Sequence, residues 1–213
     1  MFGKLRNILF KHIQNNMNTY IFLMLAFIIG VSAGAFTVNG LSTMQREELS
    51  NYFMGFLQLM GNQNIDSSEL LKISIMDNMK IVMMLWILGV TIIGIPLIFL
   101  TIVVRGFITG FTSGFLVQAM GAKGVLFALF TLFPKEVVII PCIIALGVSG
   151  INFSMNIIKK RSVKRISREN LKRSFISYCF VTVVFSGIIF TGILIEAYVT
   201  PVLIRMVSGI LLS

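Results

Sequence analysis

Histidine is almost missing: His12 is the only one among 213 residues. That removes histidine-ligated metal centres and most Ser–His arrangements, which need an imidazole within reach of the metal or nucleophile. Charge is scarce too. Asp, Glu, Lys and Arg make up 12% of the chain, against about a quarter in soluble domains, and the mean hydropathy is +0.93. So little polar surface places the chain in a membrane. There are two cysteines, Cys142 and Cys179, both in apolar runs. They are expected to pack as small apolar side chains and indicate no redox compartment. No H-E-x-x-H or G-x-x-x-x-G-K-[ST] occurs. Ser113, within Gly-Phe-Thr-Ser-Gly, lacks a histidine base in any apolar run. The expectation is a protein that is not an enzyme and needs neither cofactor nor metal.

What the chain does have is long apolar runs, and about 20 such residues cross a bilayer as a helix. Five spans are expected, at about 19–38, 81–104, 107–120, 137–158 and 175–195, the third extending toward 133 in one reading. The fold class is therefore all-α, a single polytopic helical domain in the cell membrane. Residues 105–136 are broken by glycines, Lys123 and Pro134, leaving a single helix, a hairpin and a re-entrant segment all open.

The net charge of +10 does not point to nucleic acid, because the basic residues are concentrated. Eight of the 18 fall between 159 and 173: Lys159, Lys160, Arg161, Lys164, Arg165, Arg168, Lys172 and Arg173. Such a block reads as a cytoplasmic topology signal in contact with lipid headgroups. Lys4, Arg6 and Lys11 precede the first span, which is expected to remain as an uncleaved signal-anchor despite the Ala-Gly-Ala at 33–35. Together these give an N-in, C-out topology, with residues 40–80 outside.

That outer segment opens with Ser-Thr-Met-Gln at 42–45, a capping box. Leu49, Tyr52, Phe53, Phe56, Leu57 and Met60 then recur at helical spacing, marking an amphipathic helix. Its apolar face either lies on the bilayer and span ends or docks an extracytoplasmic partner. Asp-Ser-Ser-Glu at 66–69 starts a second helix.

Four ionisable residues, Arg105, Lys135, Glu136 and Glu196, abut the apolar runs. They are expected at span ends as interfacial anchors, a transport role being the alternative. Glycines at every fourth position, Gly30 and Gly34 in the first span and Gly106, Gly110 and Gly114 in the third, let helix backbones approach closely. Thr109, Thr112 and Ser113 could hydrogen-bond across such a seam. Packing within the chain is expected, a homodimer being the alternative.

Several stretches in order, Gly-Ala-Phe-Thr-Val-Asn-Gly-Leu-Ser at 34–42, residues 86–100, residues 105–124, Phe-Pro-Lys-Glu-Val-Val-Ile-Ile-Pro at 133–141 and residues 195–203, resemble the stage II sporulation protein M family over nearly the whole chain. The resemblance implies a non-enzymatic scaffold at the mother-cell or septal membrane during engulfment. Its implied partners are two peptidoglycan hydrolases, an amidase-endopeptidase and a lytic transglycosylase. A channel or transporter subunit is the alternative function. More distant relatives carry a P-H-G-x-x-E motif where this chain has Pro134, Lys135, Glu136 and Ile139, so no activity tied to that motif is carried over.

Overall fold

The structure is a computed structural model describing residues 13–62, 67–162 and 168–204, the side chains of 56–62, 67, 159–162 and 168–171 excepted. Its elements are α1 (Met17–Asn39), α2 (Thr43–Asn62), α3 (Ser67–Val90), α4 (Gly94–Met120), α5 (Ala122–Thr131), α6 (Phe133–Ser162) and α7 (Arg168–Leu194). A π-helical turn, Ile195–Val199, follows α7. Five helices are long and apolar enough to cross a membrane: Met17–Asn39, Ser68–Val90, Gly94–Met120, Phe133–Ile158 and Lys172–Ile204.

The number of spans agrees with the sequence, but their bounds differ. Residues 81–104 are not one helix: α3 ends at Val90 and α4 begins at Gly94. The Thr91 amide bonds Leu88 O at 3.0 Å and the Gly94 amide bonds Thr91 O at 3.2 Å, closing the turn. Pro96 then falls in the first turn of α4, where its missing N–H has no helical partner to lose. An all-apolar run conceals such a turn from hydropathy. The second span accordingly starts at Ser68, inside the segment assigned to the outside. Its charges Asp77 and Lys80 pair with each other at 3.2 Å, one turn apart.

Helices α1 and α4 form a seam of small residues. Gly106, Gly110 and Gly114 sit against Phe27, Val31 and Ala35, while Gly30 and Gly34 sit against Val103 and Phe107. Contacts advance four residues at a time on both helices in the same direction, so the pair runs parallel. A Cβ on Gly30, Gly34, Gly106 or Gly110 would strike a backbone carbonyl oxygen of the partner helix. Lipid offers no hydrophobic drive for association, so this close contact supplies the dispersion energy. All five glycines are used within the chain. The hydroxyls nearby do not bridge the seam: Thr109 donates to Arg105 O, Thr112 to Ile108 O and Ser113 to Thr109 O, each four residues back on α4.

Helix α6 is the centre. Of its apolar window 72% is buried, against 28% for each other span, and Ile139, Ile143, Ile144 and Val148 join Leu23, Ile98, Ile102 and Ile189 in the main core. Ser154 fastens α6 to the α3–α4 turn, donating at 2.8 Å to Gly89 O and Thr91 O. The segment 105–136 resolves into a hairpin. After α4, Gly121 at φ 59 reverses the chain, and α5 returns with Gly124 on the Leu116 carbonyl. At ten residues, α5 is about 15 Å long, half a bilayer core.

Helix α2 lies beyond the end of α1. Its expected capping box is present: the Ser42 amide donates to Gln45 Oε1 at 3.0 Å, and the Gln45 amide to Ser42 Oγ at 3.3 Å. The second box falls at the start of α3, and its Asp66 lies outside the described residues.

Candidate functional site

Of the four ionisable residues, Lys135 and Glu136 do stand at a span end, the start of Phe133–Ile158, whereas Arg105 and Glu196 lie inside Gly94–Met120 and Lys172–Ile204. All four side chains meet inside the bundle as two ion pairs. Arg105 Nη2 donates to Glu136 Oε1 at 3.1 Å and Oε2 at 3.3 Å, with side chains 18% and 13% exposed. Lys135 Nζ pairs with Glu196 Oε1, these side chains being 18% and 22% exposed. The register of the α1–α4 seam gives the depth. Gly106 lies beside Phe27, about 15 Å along α1 from Met17 and about 18 Å from Asn39 at 1.5 Å per residue. No charge occurs in α1, so Arg105 of α4 stands level with the middle of a charge-free neighbouring span. The misplacement follows from the hidden turn at 91–93: with the helix break moved there, Arg105 becomes internal to α4.

Adjacent residues at the start of α6 thus tie three helices. Glu136 reaches α4, and its position in the first turn suits a negative charge at a helix N-terminus. Lys135 reaches Glu196 in the π-helical turn after α7. Such turns re-aim side chains out of α-helical register and recur at functional sites. Charge in lipid is costly unless paired, and these pairs leave the cluster neutral. Ile139, where distant relatives carry the final Glu of their motif, is fully buried here and packs on Gly192.

The pairs line a cavity of ≈ 470 Å³ to which every helix from α2 to α6 and the stretch after α7 contribute. Ser74 and Asn78 of α3, Thr109 and Thr112 of α4, Thr131 of α5 and Thr200 add polar walls. The Thr131 hydroxyl donates to Phe127 O at 2.6 Å, so like Thr109 and Thr112 it offers the cavity an acceptor oxygen. Three buried polar atoms here lack a hydrogen-bond partner: Asn78 Oδ1, Arg105 Nε and Thr200 Oγ1. Unpaired buried polar groups are costly, and they mark where a ligand or water would bond. Except for the threonines of α4, the polar walls escaped the sequence reading.

Phe53 closes one side. It meets Phe115 edge-on at 6.2 Å and Phe127 at 5.6 Å, so this member of the amphipathic face turns into the bundle. Tyr52 is 78% exposed and Leu49 half-buried; Phe56, Leu57 and Met60 lie outside the described side chains. Of the eight residues of the basic block, Lys172 and Arg173 are exposed. The other six lie outside the described side chains. Among the described residues no group of three or more His, Cys, Asp and Glu could hold a metal.

No curated protein and no solved structure matches the chain. The family described as stage II sporulation protein M matches residues 23–201, which include both ion pairs and the glycine seam. A sporulation-related membrane protein with five candidate spans, the chain belongs to the stage II sporulation protein M family.

Proposed function

We propose that this protein is a non-enzymatic scaffold that holds extracytoplasmic peptidoglycan hydrolases at the septal membrane of the mother cell during engulfment. The partners are an amidase-endopeptidase and a lytic transglycosylase. The observation that carries this reading is the setting of α2. The helix stands beyond the spans, is fixed by its capping box and by Arg46 bonding Leu41 O at 3.2 Å and Asn39 O at 2.9 Å, and is pinned to the bundle by Phe53. Its opposite side leaves Met44, Asn51, Tyr52 and Met54 exposed. A rigid, mixed polar and apolar face is what a folded partner needs in order to dock. The basic residues before α1 and between α6 and α7 favour the orientation that puts α2 outside. The ion pairs then hold together the helices on which α2 rests.

A detergent pull-down of the tagged full-length protein from sporulating cells tests the proposal. Co-purifying peptidoglycan hydrolases are expected; a cytoplasmic ATPase recovered without any hydrolase would overturn it.

The polar cavity favours a second reading, a channel or transporter subunit. Glu196→Gln separates the two. A transporter would lose solute movement at unchanged abundance, whereas a scaffold of unchanged abundance would keep its partners.

A further inference from the structure

A second cavity, of ≈ 560 Å³, opens at the other end of the bundle, between the residues leading into α1, the later half of α6 and the start of α7. Among the described residues its polar lining consists of Asn15, Asn16, Asn152, Asn156, Arg173 and three serines, with the Tyr178 ring among its walls and no carboxylate. That composition contrasts with the cavity around Arg105, whose lining holds two ion pairs and a further carboxylate, Asp77. Here one guanidinium sits among amide and hydroxyl groups, and among the described residues nothing of opposite charge shares the lining. Asn152 Nδ2 is buried and has no hydrogen-bond partner, a donor left idle in a cavity wall. A smaller hollow formed by residues 14–19 and Asn152 adjoins it.

Part of the cavity wall is apolar. Phe153 and Tyr178 stack there with centroids 5.0 Å apart and planes 5° from parallel, and Val181 lies beside them. Three apolar runs end at this level, α1 beginning after Asn16, α6 passing from Ile158 into Lys159 and α7 turning apolar after Arg173. The cavity therefore sits where the spans pass from apolar to polar. Amide donors and a cation beside an apolar wall match a phosphate joined to an apolar body.

We propose that this cavity binds an anionic phosphate group through Arg173 and the Asn152 amide, and that the phosphate belongs to a membrane lipid whose apolar part passes Val181 toward the apolar course of the spans. It differs from the diffuse attraction of a basic loop for anionic lipid, because the contact is made at one cavity.

Native mass spectrometry of the purified full-length protein in detergent, with equal phosphatidylglycerol and phosphatidylethanolamine added, provides the test. Phosphatidylglycerol adducts are expected to persist and phosphatidylethanolamine adducts to strip away. Arg173→Gln and Asn152→Leu should each weaken retention about tenfold, the loss of one hydrogen bond to a charged group. Arg173→Lys keeps the charge and should retain more than Arg173→Gln, which separates loss of the site from loss of the fold. Lys164→Gln with Arg165→Gln, in the basic block, should leave retention unchanged. Thermal stabilisation by inorganic phosphate at constant ionic strength, as large as that by phosphatidylglycerol, would keep the phosphate site but overturn its assignment to a lipid. Equal retention of the two lipids, or adducts lost in the basic-block variant and kept in Arg173→Gln and Asn152→Leu, would overturn the proposal.

Discussion

Arg105 and Glu136, 31 positions apart in sequence, form a two-oxygen ion pair in the interior of the helix bundle. The pair joins the fourth helix to the central sixth one at the depth where lipid offers no solvation for either charge. Removing one partner leaves the other uncompensated, while removing both leaves an apolar contact. Arg105→Met or Glu136→Leu alone is expected to cost roughly 3–5 kcal/mol, and the double variant much less. Unfolding by denaturing detergent, followed by helix content, measures it; equal losses in single and double variants would contradict the pairing.

Glycines inside and outside the α1–α4 seam differ in what a side chain would meet. Gly110→Val should separate the helices, because its Cβ would fall on the Val31 carbonyl. Gly187→Ala has nothing within 4 Å of the new carbon and should be close to neutral. Gly121 is a third case, with open space but φ at 59 and ψ at −133, so Gly121→Ala should cost about 1–3 kcal/mol through the backbone alone. Membrane abundance and thermal midpoint of the three variants order them.

Ser154 is fully buried and serves two carbonyls of the α3–α4 turn. Ser154→Ala should cost about 1–3 kcal/mol, the penalty of leaving a buried partner unsatisfied. Its most local sign would be faster hydrogen exchange at the amides of 91–94.

Phe53 and Tyr52 are neighbours with opposite tasks. Phe53→Ala removes two aromatic contacts, worth about 0.5–1.5 kcal/mol each, and should expose α2 to protease without dispersing the spans. Tyr52→Ser should leave protease resistance intact.

Orientation has its own check. In a background with Cys142 and Cys179 replaced, a cysteine at Glu48 should react with an impermeant maleimide in intact protoplasts. One at Thr91 should react only after permeabilisation. The reverse pattern would place α2 in the cytoplasm and end the scaffold proposal.

Local signals in the sequence were legible. Ser42 and Gln45 announced the start of α2 because a capping box needs only residues three apart. The glycine spacing announced a close helix seam because every fourth residue shares a face. What escaped was non-local or masked by uniform composition. The turn at 91–93 lies in a run where every residue is apolar, small or a threonine, so hydropathy joined two helices and pushed Arg105 to a span end. Lys135 and Glu136 are neighbours in sequence but face different helices, and a pattern could not show which charge each would find. The inward turn of Phe53 likewise depended on α5 doubling back to bring Phe127 beside Phe115.

The most direct measurement is site-specific photo-crosslinking in sporulating cells, with a photoreactive residue at Tyr52 on the exposed side of α2 or at Ile29 on the exposed side of α1. The account predicts a covalent adduct with a peptidoglycan hydrolase from position 52 and none from position 29. Adducts with no hydrolase at position 52, in cells where the substituted protein still supports engulfment, would contradict it.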